Sequence, residues 1–162
     1  MYSVKAVAMD VDGVLTDGTF WWGPDGEEFK RFSFTDIMGV SLGRKAGLIF
    51  ALISGENGPL IDRLAIKMGI TDIFKNCKDK AEALKSFAGN NNINLSEICF
   101  IGDDINDLPA MEIAGLSAAP ADAHENVRSK ADYIAKRKGG RGAVRDIVDA
   151  ILSNKININL RD

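Results

Sequence analysis

Three apolar runs of strand length, each closed by a polar residue suited to holding an ion, constrain this chain more than any other feature. Val4–Met9 closes at Asp10, Leu48–Ile53 at Ser54, and Ile98–Ile101 at Gly102 and Asp103. Shorter strands are expected at Asp72–Phe74, Leu116–Ala118 and Tyr133–Ile134. Between them, Ile37–Ala46, Pro59–Met68, Lys80–Phe87, Leu108–Ile113 and Val144–Leu152 read as helices. Pro59 suits a first helical turn and Gly69 a helix end. Strands alternating with helices predict an α/β fold: a doubly wound, Rossmann-like parallel sheet with helices on both faces. In such sheets ligands bind outside the carboxyl ends of the strands, where the three polar closures fall.

At 162 residues the chain is expected to form one domain, spanning 1–162, with no internal repeat or linker. Its net charge of -3 supplies no basic footprint for nucleic acid, and no apolar stretch approaches the ~20 residues that cross a bilayer. Cys77 and Cys99 make no disulfide framework, which together with the lack of a visible leader predicts a cytoplasmic protein. His124 alone cannot build a histidine metal site and reads as a surface turn residue. The stretch 155–162 is polar and is expected to fray unless it docks. One segment departs from the alternation. Thr19–Trp22, the turn Gly23–Gly26 and Glu27–Phe32 read as a β-hairpin, about 18–33. It and its exit carry Phe20, Trp21, Trp22, Phe29, Phe32 and Phe34, six of the ten Trp and Phe residues. That much aromatic surface is read as a subunit interface rather than a flap folded onto its own core.

The chemistry gathers at the strand ends. Asp10 and Asp12 stand two residues apart, and Asp103, Asp104 and Asp107 follow another strand, the last four residues after the first. Acids brought so close repel unless a cation lies among them. Oxygen donors without Cys or His select a hard ion, Mg²⁺ first. A calcium-binding loop starting at Asp10 would need Glu at its twelfth position, where Trp21 stands. Ser54 and Gly55 offer a hydroxyl and a free backbone N–H for phosphate oxygens. Lys80 opens a helix and could add an ammonium, although a lone lysine is more often a solvated surface residue.

In this order, Asp10–Val14, Ser54–Gly55, Lys80 and Gly102–Asp107 resemble the haloacid dehalogenase superfamily of phosphotransferases. The resemblance implies Asp10 as a nucleophile that becomes an aspartyl-phosphate, and Asp12 as general acid/base. It implies Mg²⁺ held by Asp10, the backbone carbonyl of Asp12 and Asp103, with Asp104 or Asp107 assisting. Ser54, Gly55 and Lys80 would hold the transferring phosphoryl group.

Only about forty residues separate the first two motifs and about two dozen the next, too few for a cap domain. With Phe29–Phe32, Asp36, Gly39, Ala121–His124 and Gly139–Arg145, the chain resembles the capless sugar-acid phosphatases, which act on 3-deoxy-D-manno-octulosonate 8-phosphate or 2-keto-3-deoxynononate 9-phosphate. That branch implies a homotetramer whose hairpins form a central barrel and whose sites are completed by neighbouring subunits. It makes Asp36, Lys138 and Arg141 candidates for substrate or cross-subunit roles. Glu56 and Lys67 look like the nine-carbon branch, as binders of sugar hydroxyls and of the carboxylate respectively. Ala121–His124 and Gly139–Arg145 look closer to the octulosonate enzymes. The balance leans slightly to the nine-carbon substrate. The alternative of another class is an assembly module related to the domain fused to sialic-acid cytidylyltransferases.

Overall fold

The computed structural model describes residues 3–154; the 155–162 tail lies outside the described residues. Its strands are β1 (Ala6–Met9), β2 (Trp21–Trp22), β3 (Glu28–Phe29), β4 (Ile49–Ile53), β5 (Asp72–Phe74), β6 (Ile98–Ile101), β7 (Leu116–Ala119) and β8 (Tyr133–Ile134). Its helices are α1 (Phe34–Lys45), α2 (Pro59–Met68), α3 (Lys80–Asn90), α4 (Leu108–Ile113), α5 (Glu125–Arg128) and α6 (Ala143–Leu152). Six strands form one parallel sheet in the order β5-β4-β1-β6-β7-β8. The chain runs outward one way from β1 through β4 to β5, then returns beside β1 and runs the other way. This reversal opens a crevice at the carboxyl ends of β1 and β6.

All four residues of β1 are buried, as a central parallel strand covered on both faces requires. The period of two divides its side chains. Val7 and Met9 join Phe50 and Leu52 beneath α1, α2 and α6, where Val40, Leu64, Ile147 and Val148 pack. Ala6 and Ala8 face the other way with Ile53 and Phe100, against Leu84 and Phe87 of α3 and Met111 of α4. Fully burying side chains such as Phe87 or Leu84 contributes about 1.5–3 kcal/mol each.

Local signals explain most element ends. Ser33 accepts the Thr35 N–H at 3.1 Å and starts α1 three residues before the predicted Ile37. Pro59 opens α2, and Gly69 closes it in the left-handed conformation, as predicted. The strands of the hairpin are shorter than its apolar pattern suggested: Trp21 pairs with Phe29 and Trp22 with Glu28, and the Gly23 N–H donates to the Glu27 carbonyl at 2.8 Å where the turn begins. Phe32 packs back on the core, while Phe20, Trp21, Trp22, Phe29 and Phe34 remain exposed, Trp22 at 72% and Phe34 at 76%. No described helix is long and apolar enough to cross a membrane.

Candidate active site

Register brings the polar closures together. Met9 of β1 lies opposite both Leu52 of β4 and Ile101 of β6. The Asp10 N–H continues the ladder to the Ile101 carbonyl at 3.1 Å, so Asp10, Ser54 and Asp103 leave the sheet along one edge. The loop after β1 turns at Gly13, whose φ is +83°; a Cβ there would stand 1.8 Å from Asp103 Oδ2. Only glycine allows both the turn and that approach.

Asp10, Asp103 and Asp107 each place a carboxylate oxygen within 4.8 Å of the others. Lys80, the first residue of α3, reaches into this group from below. Its Nζ donates to Asp107 Oδ1 at 2.7 Å and lies 3.0 Å from Asp10 Oδ1. Lys80 is 3% exposed, unlike the solvated surface lysine that a lone lysine usually is. Burial alone would lower its pKa, but the charges of Asp10 and Asp107 outweigh that and the net shift is upward. Asp10 is pushed up to about 6, first by burial and then by the charge of Asp107, with Lys80 opposing. Burial, Asp10 and Asp107 push Asp103 up to about 9. Three acids against one buried cation leave an excess of negative charge.

The set fits a hard cation. Asp103 Oδ1 is buried and has no hydrogen-bond partner among the described residues, an arrangement that costs free energy unless something coordinates it. The donors are all oxygens, which suits an ion of the magnesium type. Of the two acids expected to assist, Asp107 belongs to the cluster. Its Oδ2 accepts the N–H groups of Asp103 and Asp104 at 2.9 and 3.2 Å, fixing the loop after β6. Asp104 is exposed and caps the following turn through Ile105 N. Its carboxylate is not one of the three that meet within 4.8 Å.

Ser54 is buried beside the cluster edge and its Oγ accepts the Glu56 N–H at 3.1 Å; the exposed Gly55 lies between them. Asp12 is not one of the three clustered acids. Its Oδ1 meets the ammonium of Lys30, just after β3, at 2.8 Å. Nothing in the local pattern around Lys30 announced this contact, which depends on how the hairpin folds back over the first loop.

The outer candidates divide. Asp36 is corrected: its carboxylate is buried and accepts the N–H groups of Gly142 and Arg145 at 3.2 and 3.1 Å. It caps α6 instead of facing a substrate, and burial raises its pKa despite those bonds. Lys138 and Arg141 are exposed on the loop that Asp36 anchors. That loop sits directly on the first one: Gly140 N donates to Val14 O at 3.1 Å. A Cβ on Gly139 would meet Gly13 O at 2.0 Å. Glu56 is exposed at the mouth. Lys67 lies 5.4 Å over the Phe34 ring and lines a cavity of about 250 Å³ with Lys30, Phe32, Leu60 and Arg63. His124 is an exposed cap of α5, as expected, and its N–H also holds the Asp103 carbonyl at 2.8 Å.

Fold and site together define an α/β enzyme with a cation-ready carboxylate cluster at the topological switch point. The family model of haloacid dehalogenase-like hydrolases matches residues 27–147. The 3-deoxy-D-manno-octulosonate 8-phosphate phosphatase of Escherichia coli K12 is 35% identical over 150 residues, covering 93% of this chain and 80% of that protein. The crystal structure of the Moraxella catarrhalis phosphatase of the same name, in complex with magnesium, phosphate and KDO, superposes with a TM-score of 0.90. It is 37% identical and is covered over 93% of this chain and 86% of its own. A cobalt-bound octulosonate 8-phosphate phosphatase from Haemophilus influenzae matches with a TM-score of 0.90 at 34% identity, over 93% and 88% of the two chains. The chain belongs to the haloacid dehalogenase-like hydrolases. It is a phosphoric monoester hydrolase, so the assembly-module alternative gives way.

Proposed function

We propose that the chain hydrolyses the phosphate monoester of a 2-keto-3-deoxy sugar acid through a covalent intermediate on Asp10. The observation that carries this reading is the buried Asp10–Lys80–Asp107 arrangement beside the orphaned oxygen of Asp103. Asp10 Oδ1 is occupied by Lys80 and by the Val11 N–H at 2.8 Å, which leaves the other carboxylate oxygen to attack phosphorus. As that bond forms, the ester P–O bond breaks and its electron pair goes to the sugar oxygen, which takes a proton from Asp12. Water then attacks phosphorus and gives its proton to Asp12; the bond to Asp10 breaks and the carboxylate returns. Lys80, the Ser54 hydroxyl and the Gly55 N–H would stabilise the charge on the phosphoryl oxygens. Mg²⁺ held by Asp10, the Asp12 carbonyl and Asp103, with Asp107 assisting, would neutralise phosphate charge during transfer.

The named activity of the Escherichia coli and Moraxella catarrhalis relatives supports 3-deoxy-D-manno-octulosonate 8-phosphate as the first candidate substrate. The nine-carbon 9-phosphate stands as a second reading, because Glu56 occupies the mouth and its backbone is tied to Ser54. Phosphate release from the two esters, with and without Mg²⁺ and repeated with Glu56→Arg, separates them. Preference for the eight-carbon ester supports the first reading. Preference for the nine-carbon ester, weakened by the substitution, supports the second. Release from neither ester rejects both.

The homotetramer, with sites completed by neighbouring subunits, is part of the same proposal and is supported by the exposed aromatic group on the hairpin. So is a cytoplasmic location, supported by two cysteines that remain free thiols.

A further inference from the structure

Asp10 and Asp12 are served by two different cations, and these are not interchangeable. Lys80 is committed to Asp10 and Asp107. Asp12 is held instead by Lys30, whose side chain is only 6% exposed although the hairpin it follows is largely open to solvent. Its neighbour Arg31 lies 3.8 Å from Asp17, at the far end of the same loop. The outgoing strand of the hairpin is therefore stitched to the loop by two successive ion pairs. Only the Lys30 pair is close and screened from water. A carboxylate on a loop, one-third exposed, samples several rotamers unless a partner selects one.

We infer that Lys30 is the positioning residue of Asp12, holding its carboxylate at the mouth where the leaving oxygen must receive a proton. The inference rests on the role proposed above for Asp12. It makes the hairpin part of the chemical step rather than an assembly element alone. Lys30 touches neither phosphorus nor the leaving oxygen in this account; it acts through the geometry of Asp12.

Two leaving groups separate this role from simple pinning of the hairpin. A sugar alkoxide leaves only as it is protonated, whereas nitrophenolate leaves without a proton. Single-turnover release is measured for nitrophenyl phosphate and for octulosonate 8-phosphate, or its nine-carbon homologue if only that ester turns over. The proteins are the wild type, Lys30→Met, Lys30→Gln, Lys30→Arg and Asp12→Asn, with Mg²⁺ present. Loss of positioning removes part of the ~10²–10⁴ that proton transfer supplies. Lys30→Met and Lys30→Gln should therefore lose about tenfold to a hundredfold on the sugar ester and less than about threefold on the aryl ester. Lys30→Arg should recover most of the loss. Equal losses on both esters, or none on either, overturn the inference while Asp12→Asn still changes the ratio of the two rates. If Asp12→Asn itself leaves that ratio unchanged, the proposed role of Asp12 fails and Lys30 has nothing to position. Should Lys30→Met not fold, Lys30→Gln and Lys30→Arg decide the matter.

Discussion

Replacing Asp103 by Asn should stabilise the metal-free protein while removing most of its response to magnesium. The Asp103 carboxyl is pushed from 3.8 up to about 9 by burial and by Asp10 and Asp107, so at pH 7 it is kept protonated on folding. Each pH unit between the ordinary value and pH 7 is worth ~1.4 kcal/mol, a ceiling of roughly 4 kcal/mol. Residual solvent access and the sharing of protons among three acids reduce this to about 2 kcal/mol. An amide is isosteric, carries no charge and still donates to the neighbouring carboxylates. For a chain of this length the gain is a rise of about 4–8 °C in Tm. The folded pKa is raised, so the contribution of Asp103 to stability is complete below 3.8 and is lost as pH climbs through about 9. The advantage of the Asn variant over wild type should accordingly widen from pH 5 to pH 9. Magnesium at a hundred times its Kd stabilises the wild type by about 2.7 kcal/mol, and the variant should gain much less. Circular dichroism melts in EDTA and in magnesium across that pH range give every quantity. A variant less stable than wild type in EDTA, or one with an undiminished magnesium shift, would refute the reasoning.

Two further outcomes test the frame around the site. Asp36→Ala leaves the Gly142 and Arg145 amides without their acceptor and should cost about 1–2 kcal/mol in urea unfolding. It should also lower phosphate release by loosening the loop that carries Lys138 and Arg141. Trp22→Glu places a charge in the exposed aromatic face and should convert the proposed tetramer to smaller species in sedimentation velocity. A wild type that already sediments as a monomer would reject the assembly.

The sheet and its catalytic edge were legible because adjacent residues encode them. Ala6–Met9, Ile49–Ile53 and Ile98–Ile101 are short apolar runs of central-strand length, and the polar residues closing them mark the crevice. Pro59 and Gly69 placed α2, and Lys80 fell on the first residue of α3. The apolar period of α1 starts only at Ile37, so periodicity placed the start too late; the Ser33 cap sets the observed one. Other features depend on chain reversals that no local pattern reports. Asp36 resembles a solvent-facing acid in a first helical turn, yet the return of α6 buries it under two backbone amides 106 and 109 residues away. Lys30 reads as one cation in a mixed strand, and only the hairpin's return over the first loop brings it to Asp12. Asp104 and Asp107 look equivalent in sequence. The turn beginning at Ile105 separates them, sending one to solvent and the other onto Lys80.

The covalent role of Asp10 is the centre of the account, and rapid quenching tests it most directly. Octulosonate 8-phosphate, or the nine-carbon ester if only that turns over, is mixed with Mg²⁺ and either wild type or Asp10→Asn. Mass spectrometry of the quenched protein is read alongside phosphate release. The account predicts a phosphoryl adduct on the peptide bearing Asp10 in the wild type. In the variant the adduct should vanish and phosphate release should fall by at least about a thousandfold. Undiminished release from Asp10→Asn, or an adduct on another residue, would contradict it.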